Sequence, residues 1–201
     1  MALTSPDRPL PRPPAGVLPP PRGALDPGEA VRRWYESGPG WPTAPGLPVR
    51  LVTGVRFDVL EVPAEAGFAA LRHLGPASPV ALRAGRMRLL AAAGSAEELP
   101  GLLDWLEWGD LALDLTATGA GGCVEAPLPP GWAPGRIRSQ GAAVWLRPPE
   151  PGCEVESRLP TLSALGGAGS APDLVRLVDT MATHCHRIRL RRANAQAFAF
   201  S

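Results

Sequence analysis

The sequence has no lysine; all 20 of its basic residues are arginine. That absence excludes a P-loop, whose grip on phosphate depends on a lysine. Beside 26 prolines, 23 glycines and abundant alanine, the arginine bias reads as GC-rich bacterial coding rather than as an adaptation to phosphate. A bulk excess of either charge is missing too. The formal net charge of +1 gives no general pull toward nucleic acid or membrane. Cysteine is scarce and odd in number: Cys123, Cys153 and Cys185 stand far apart. No C-x-x-C pair exists, so a zinc site and a complete disulfide framework are excluded, and free thiols in a reducing compartment are expected. No apolar run approaches the roughly 18 residues that span a bilayer. The first residues carry proline and arginine instead of the apolar core of a signal peptide. These absences predict a soluble, cytoplasmic protein with no membrane partner.

What remains is an ordinary globular composition, with 45% hydrophobic and 19% charged residues over 201 positions, enough for one sizeable core plus tails. Residues 1–23 hold eight prolines and predict an extended, disordered tail, with a groove-lined protein partner as the functional alternative. Order is expected from Asp26, an N-cap, with Pro27 in the first turn and Glu29 positioned for a capping box. Short strands are predicted at 49–53, 56–62, 80–83, 87–92 and 142–147, with a further strand at 153–157. A helix opens at Pro63-Ala64-Glu65, and a second capping box, Ser95 to Glu98, starts a helix running to Trp108. Residues 111–116 and 123–126 read as a hairpin around the Gly119–Gly122 tip. Gly166–Ser170 is a hinge. Residues 172–190 form an amphipathic helix, with Leu174, Leu177, Val178, Met181, Cys185 and Ile188 in one stripe. The organisation is therefore a tail (1–23), an α/β (α+β) domain with a mixed sheet and flanking helices (24–165), and a hinge with a packed terminal helix (166–201).

Three stretches, read in order, carry a family likeness. The capped helix with Arg32-Arg33-Trp34 precedes Thr53-Gly54, and then a strand turns through Glu61-Val62-Pro63. Next comes Gly85-Arg86-Met87-Arg88-Leu89-Leu90. Last, Leu113-Asp114-Leu115-Thr116 is followed by a glycine-rich tip and by Val124-Glu125-Ala126-Pro127. This order resembles the bifunctional DNA primase/polymerase N-terminal (prim-pol) domain, over roughly residues 24–150. The resemblance implies a prim-pol-like fold and nucleotidyl transfer through two divalent metals about 4 Å apart. Such a site would hold a D-x-D pair on one strand, a third carboxylate on a neighbour and a phosphate-binding histidine.

Here Glu61 and Pro63 stand at the pair, Met87 or Arg88 at the histidine, and Asp114 at the third carboxylate. Asp58, three residues before Glu61, faces the other side of its strand. The expectation is a degenerate prim-pol-like pseudoenzyme: a nucleotide- or nucleic-acid-binding or regulatory module without nucleotidyl transfer. Glu61 and Asp114 would be the remaining catalytic and metal positions, holding at most one Mg²⁺ or Mn²⁺ weakly. Arg88 and the backbone of Gly119, Gly121 and Gly122 would hold phosphate. The alternatives are an active nucleotidyltransferase with a rearranged site and a protein-interaction adaptor.

Other chemistry-bearing residues read as structural. His184 and His186 flank Cys185 on a helix and point apart. His73 is expected as a favourable charge at a helix C-terminus or as a capping donor, and Arg187, Arg189, Arg191 and Arg192 as favourable charges likewise. Ser139 and Ser163 lack a partner base. Trp105 and Trp108 are expected in the core or at its rim, and Arg136-Ile137-Arg138 at a solvated edge or a nucleic-acid surface.

Overall fold

The computed structural model describes residues 26–132, 142–150, 154–162 and 172–199. The 1–23 tail, the 166–170 hinge, Arg136 to Ser139, Cys153 and Ser163 lie outside the described residues. In chain order the elements are α1 (Pro27–Ser37), β1 (Thr43–Ala44), β2 (Arg50–Val52), β3 (Asp58–Pro63), α2 (Ala64–Ala70), β4 (Val80–Arg83), β5 (Arg86–Ala91), α3 (Ser95–Trp105), β6 (Thr116–Thr118), β7 (Cys123–Glu125), β8 (Val144–Arg147) and α4 (Leu174–Ala199).

The strands form a five-stranded sheet, β6-β3-β5-β4-β8, and a three-stranded sheet, β1-β2-β7. The α+β class is the expected one, but the pairing in both sheets is antiparallel rather than mixed. For β4 and β5 the connection forces this, because their two-residue turn leaves no length for a parallel crossover.

The larger sheet separates two cores, because alternate side chains leave opposite faces. Leu60 and Val62 of β3, with Met87, Leu89 and Ala91 of β5, face α2, α3 and α4, where Leu177, Val178 and Met181 are fully buried. Val59 and Leu90 face the other way, toward α1 and the small sheet. Each of these large side chains contributes about 1.5–3 kcal/mol by leaving water. Gly67 lets α2 lie on β5, since a Cβ there would collide with Met87. On the second face Tyr35 stacks on Trp41 at 6.1 Å, and its hydroxyl donates to the Pro127 carbonyl at 2.6 Å. Trp145 Nε1–H donates back to the same hydroxyl at 2.9 Å, so Trp41 and Trp145 are packing residues.

Several local expectations are corrected. Asp26 does cap α1, accepting from Gly28 N–H at 3.1 Å, whereas Glu29 lies beside Arg32 instead of closing a box. Ser95 is the first residue of α3, not its cap. Gly94 takes the N-cap at φ 96°, and Asp58 reaches over from β3 to accept the Ala96 N–H at 2.8 Å. α3 ends at Trp105, which is 70% exposed rather than part of the core. The predicted 111–126 hairpin is split, for β6 pairs with β3 while β7 pairs with β2. Thr53 holds the parting, giving its N–H to Gly122 O at 3.1 Å and its hydroxyl to Gly119 O at 2.6 Å. In place of a strand at 153–157 a 3-10 turn covers Glu156–Arg158. α4 continues to Ala199, so its arginines lie within the helix and not at its end. Among the described residues no helix is long and apolar enough to cross a membrane.

The β4–β5 turn is its own test of local strain. Ala84 and Gly85 have φ of 47° and 77°, the pattern of a two-residue hairpin turn that favours Asn-Gly. An alanine held left-handed costs on the order of 1 kcal/mol. Ala84→Asn is expected to stabilise the fold by a large part of that about 1 kcal/mol, read as a higher midpoint in urea unfolding. An unchanged or lower midpoint would contradict it.

Candidate functional site

Register places the charged residues of β3 and β5 on one face. Glu61 is directly opposite Arg88, and Arg86 is opposite Pro63. With a side-chain period of two, Glu61, Arg86 and Arg88 leave the sheet together. Arg88 Nε–H donates to Glu61 Oε2 at 2.6 Å, and Arg86 Nε–H donates to Glu61 Oε1 at 2.6 Å. Arg86 Nη1–H reaches on to Asp114 Oδ1 at 2.7 Å, and its Nη2–H to the Glu61 carbonyl at 3.3 Å. One guanidinium therefore spans both carboxylates. The network continues outward on both sides. Arg88 donates to the Glu125 carbonyl at 3.2 Å, Arg83 pairs with the Glu125 carboxylate at 2.9 Å, and Arg192 lies 3.8 Å from Asp114.

Burial works to raise the Glu61 pKa, but Arg88 and then Arg86 outweigh it and hold the carboxyl below its ordinary value. Arg88 is 8% exposed and could not be left unpaired without cost. Asp58 shows the opposite balance on the same strand. Its side chain is fully buried, one oxygen caps α3 and the other meets no well-formed donor among the described residues. Burial, with the nearby Glu97 charge, pushes its carboxyl above the usual range. It is a structural group, turned away from Glu61.

Of the residues singled out in the sequence, Glu61, Arg88 and Asp114 are brought together. The glycines are not. Thr116 pairs with Glu61 and Thr118 with Val59, so the tip lies past the far end of β6 from Asp114. Five residues at about 3.3 Å each separate Asp114 from Gly119 by up to about 16 Å. The tip is also packed: Ala120 N–H is given to Glu97 at 3.2 Å, Gly122 N–H to Gly119 O at 3.0 Å, and Gly54 backs directly onto Ala120. Gly119, Gly121 and Gly122 thus form a turn closed by Thr53 and Glu97 instead of a cradle facing the carboxylates.

A divalent ion does not fit the donor set as it stands. Both Glu61 oxygens and Asp114 Oδ1 already accept from guanidinium groups. Among the described residues no three acidic, histidine or cysteine side chains converge on a metal position. His73 is corrected as well: its Nε2 lies 2.9 Å from Thr180 Oγ1 and accepts from Arg72 Nε–H at 3.0 Å. Burial and then the Arg72 charge lower its pKa, so it sits as a neutral ring and not as a dipole-compensating cation. Cys185 is buried on the α4 stripe, with its thiol pushed up to about 11 by burial and by Asp114, while His186 rests near Trp108.

The residue missed by sequence reasoning is Arg86. The two-residue turn fixes β5 only against β4, whereas the register that places Arg86 diagonal to Glu61 is made between β3 and β5, across the whole of α2 and β4. Beside Asp114 a groove of about 270 Å³ runs along α4, lined by Ala112, Asp114, Cys185, Ile188, Arg189, Arg192, Ala193 and Gln196. No family model, no curated protein and no solved structure matches the chain.

The Glu61 ion pairs set a pH dependence. A carboxyl held below its unfolded value stabilises the fold above about pH 4, and this is lost as pH falls through its folded value. Glu61→Gln is expected to cost about 1–3 kcal/mol at pH 7, because two guanidinium groups lose their acceptor. Urea unfolding of both proteins at pH 7 and pH 3 checks it. The gap should narrow in acid, and an equal gap at both values would refute the assignment.

Proposed function

We propose that this domain is a prim-pol-like scaffold that does not transfer nucleotides and serves as a nucleotide- or nucleic-acid-binding or regulatory module. The observation that carries the reading is the Arg86 guanidinium between Glu61 and Asp114. Two-metal transfer requires free carboxylate oxygens that clamp both cations around the reacting phosphate. Here the two acidic groups in place share a fixed organic cation, and Pro63 supplies no third. Arg86 can neither activate a hydroxyl nor exchange ligands as Mg²⁺ or Mn²⁺ does.

A binding role is supported by what surrounds the pair. Arg187, Arg189, Arg191 and Arg192 are exposed along one segment of α4, and no acidic residue follows Asp179 on that helix. Arg191 is compensated by Glu65 across on α2, leaving the side nearer Asp114 cationic. Phosphate groups are the anions that arginine recognises best, through paired N–H donors.

With Mn²⁺, template, primer and all four nucleotides, the purified protein is expected to incorporate nothing above the level of its Asp114→Ala variant. Incorporation that disappears in Asp114→Ala would establish the active-enzyme alternative instead.

A further inference from the structure

From the groove beside Asp114 we infer a phosphate-binding site, formed by Arg189 and Arg192 of α4 over an apolar floor of Cys185 and Ile188. It rests on the binding-module reading and gives that reading a place. The four side chains follow at helical spacing, so they share one face of α4. Cys185 and Ile188 are buried and hold the floor, whereas Arg189 and Arg192 are exposed at the rim. Arg189 is pre-positioned, because its Nη1–H donates to the Ala112 carbonyl at 2.6 Å, and its other N–H groups meet no acceptor among the described residues. Arg192 is loosely held, 3.8 Å from Asp114, with a side chain 68% exposed.

Asp114 in the wall would repel an anion if its charge were uncompensated. Arg86, at 2.7 Å, neutralises it from behind. The field in the groove is then set by the guanidinium groups of Arg189 and of Arg192, the latter in a long 3.8 Å contact with Asp114, which suits a doubly charged phosphate. A volume of about 270 Å³ admits a phosphoryl group with a short tail. This is slightly below the roughly 300–1,000 Å³ of pockets that enclose a whole drug-sized ligand. The phosphate of a free nucleotide and that of a strand end are chemically alike here.

Isothermal titration distinguishes the sources, with inorganic pyrophosphate, dATP and a short oligothymidylate as probes of the full chain. Heat from pyrophosphate and dATP is expected, and heat from the oligothymidylate alone would assign the site to a strand. In either case Arg189→Gln and Arg192→Gln should each weaken binding about tenfold, the loss of one charged hydrogen bond. Arg192 is exposed, so its variant carries the test should Arg189→Gln fail to fold. Binding unchanged in both variants would remove this groove while leaving the binding-module reading standing. No heat from any probe with the wild-type protein would overturn both.

Discussion

The guanidinium of Arg86 is the contact on which the charged end of the sheet depends. It joins β5 to β3 through Glu61 and both strands to the segment before β6 through Asp114. Because arginine stays protonated at any ordinary pH, this cation cannot leave by titration. Its planar fork also fixes direction: one edge is committed to Glu61 and one nitrogen to Asp114, so the carboxylates are held in place as well as neutralised. Arg88 takes the remaining Glu61 oxygen from a more buried position and ties the arrangement to β7. The result is a chain of alternating charges from Arg83 on β4 to Arg192 on α4.

That chain is possible because the five-stranded sheet keeps its two faces distinct. Odd positions of β3 and even positions of β5 carry Glu61, Arg86 and Arg88 at one end of the second face, next to the Val59 and Leu90 core. Asp58, at the other end of β3, ignores the cluster and anchors α3. Its second oxygen is buried with no well-formed donor among the described residues, so the cap is a compromise between satisfying the Ala96 N–H and desolvating a charge. A raised folded pKa means that this group favours folding most below the unfolded carboxyl value, and less as pH rises through the folded one. Glu61 has the reverse dependence, so two acids on one strand respond to pH with opposite sign.

What was legible in the sequence was what is decided locally. The Asp26-Pro27 start of α1, the apolar stripe of α4, and β4 and β5 followed from caps and periodicity, and all are present. Two of the failures share one cause, a distant partner. The Ser95 box lost to a carboxylate 37 residues earlier, from Asp58 to Ser95 in the numbering. The 111–126 hairpin lost to Thr53, which separates its strands into two sheets. In the site, Glu61, Arg88 and Asp114 were identified by asking which ligands a metal cage retained. Arg86 escaped because the resemblance gives that position no role and its partners Glu61 and Asp114 stand 25 and 28 residues away.

Charge balance explains why the arginine bridge is self-consistent. Pro63 closes β3 and opens α2, with φ −51° and ψ 139° at the helix N-cap, a position its ring suits. It cannot carry a second carboxylate, so Glu61 alone faces Arg86 and Arg88. Counting Glu61, Asp114, Arg86 and Arg88, two negative charges meet two positive ones and the cluster is neutral. A hard divalent cation sheds its water only for a site with surplus negative charge, and a neutral cluster offers none. Removing one carboxylate alone would leave a surplus guanidinium half out of water, which is itself unfavourable. The two carboxylates and the two guanidinium groups are thus one electrostatic state, stable as a whole and unstable in parts.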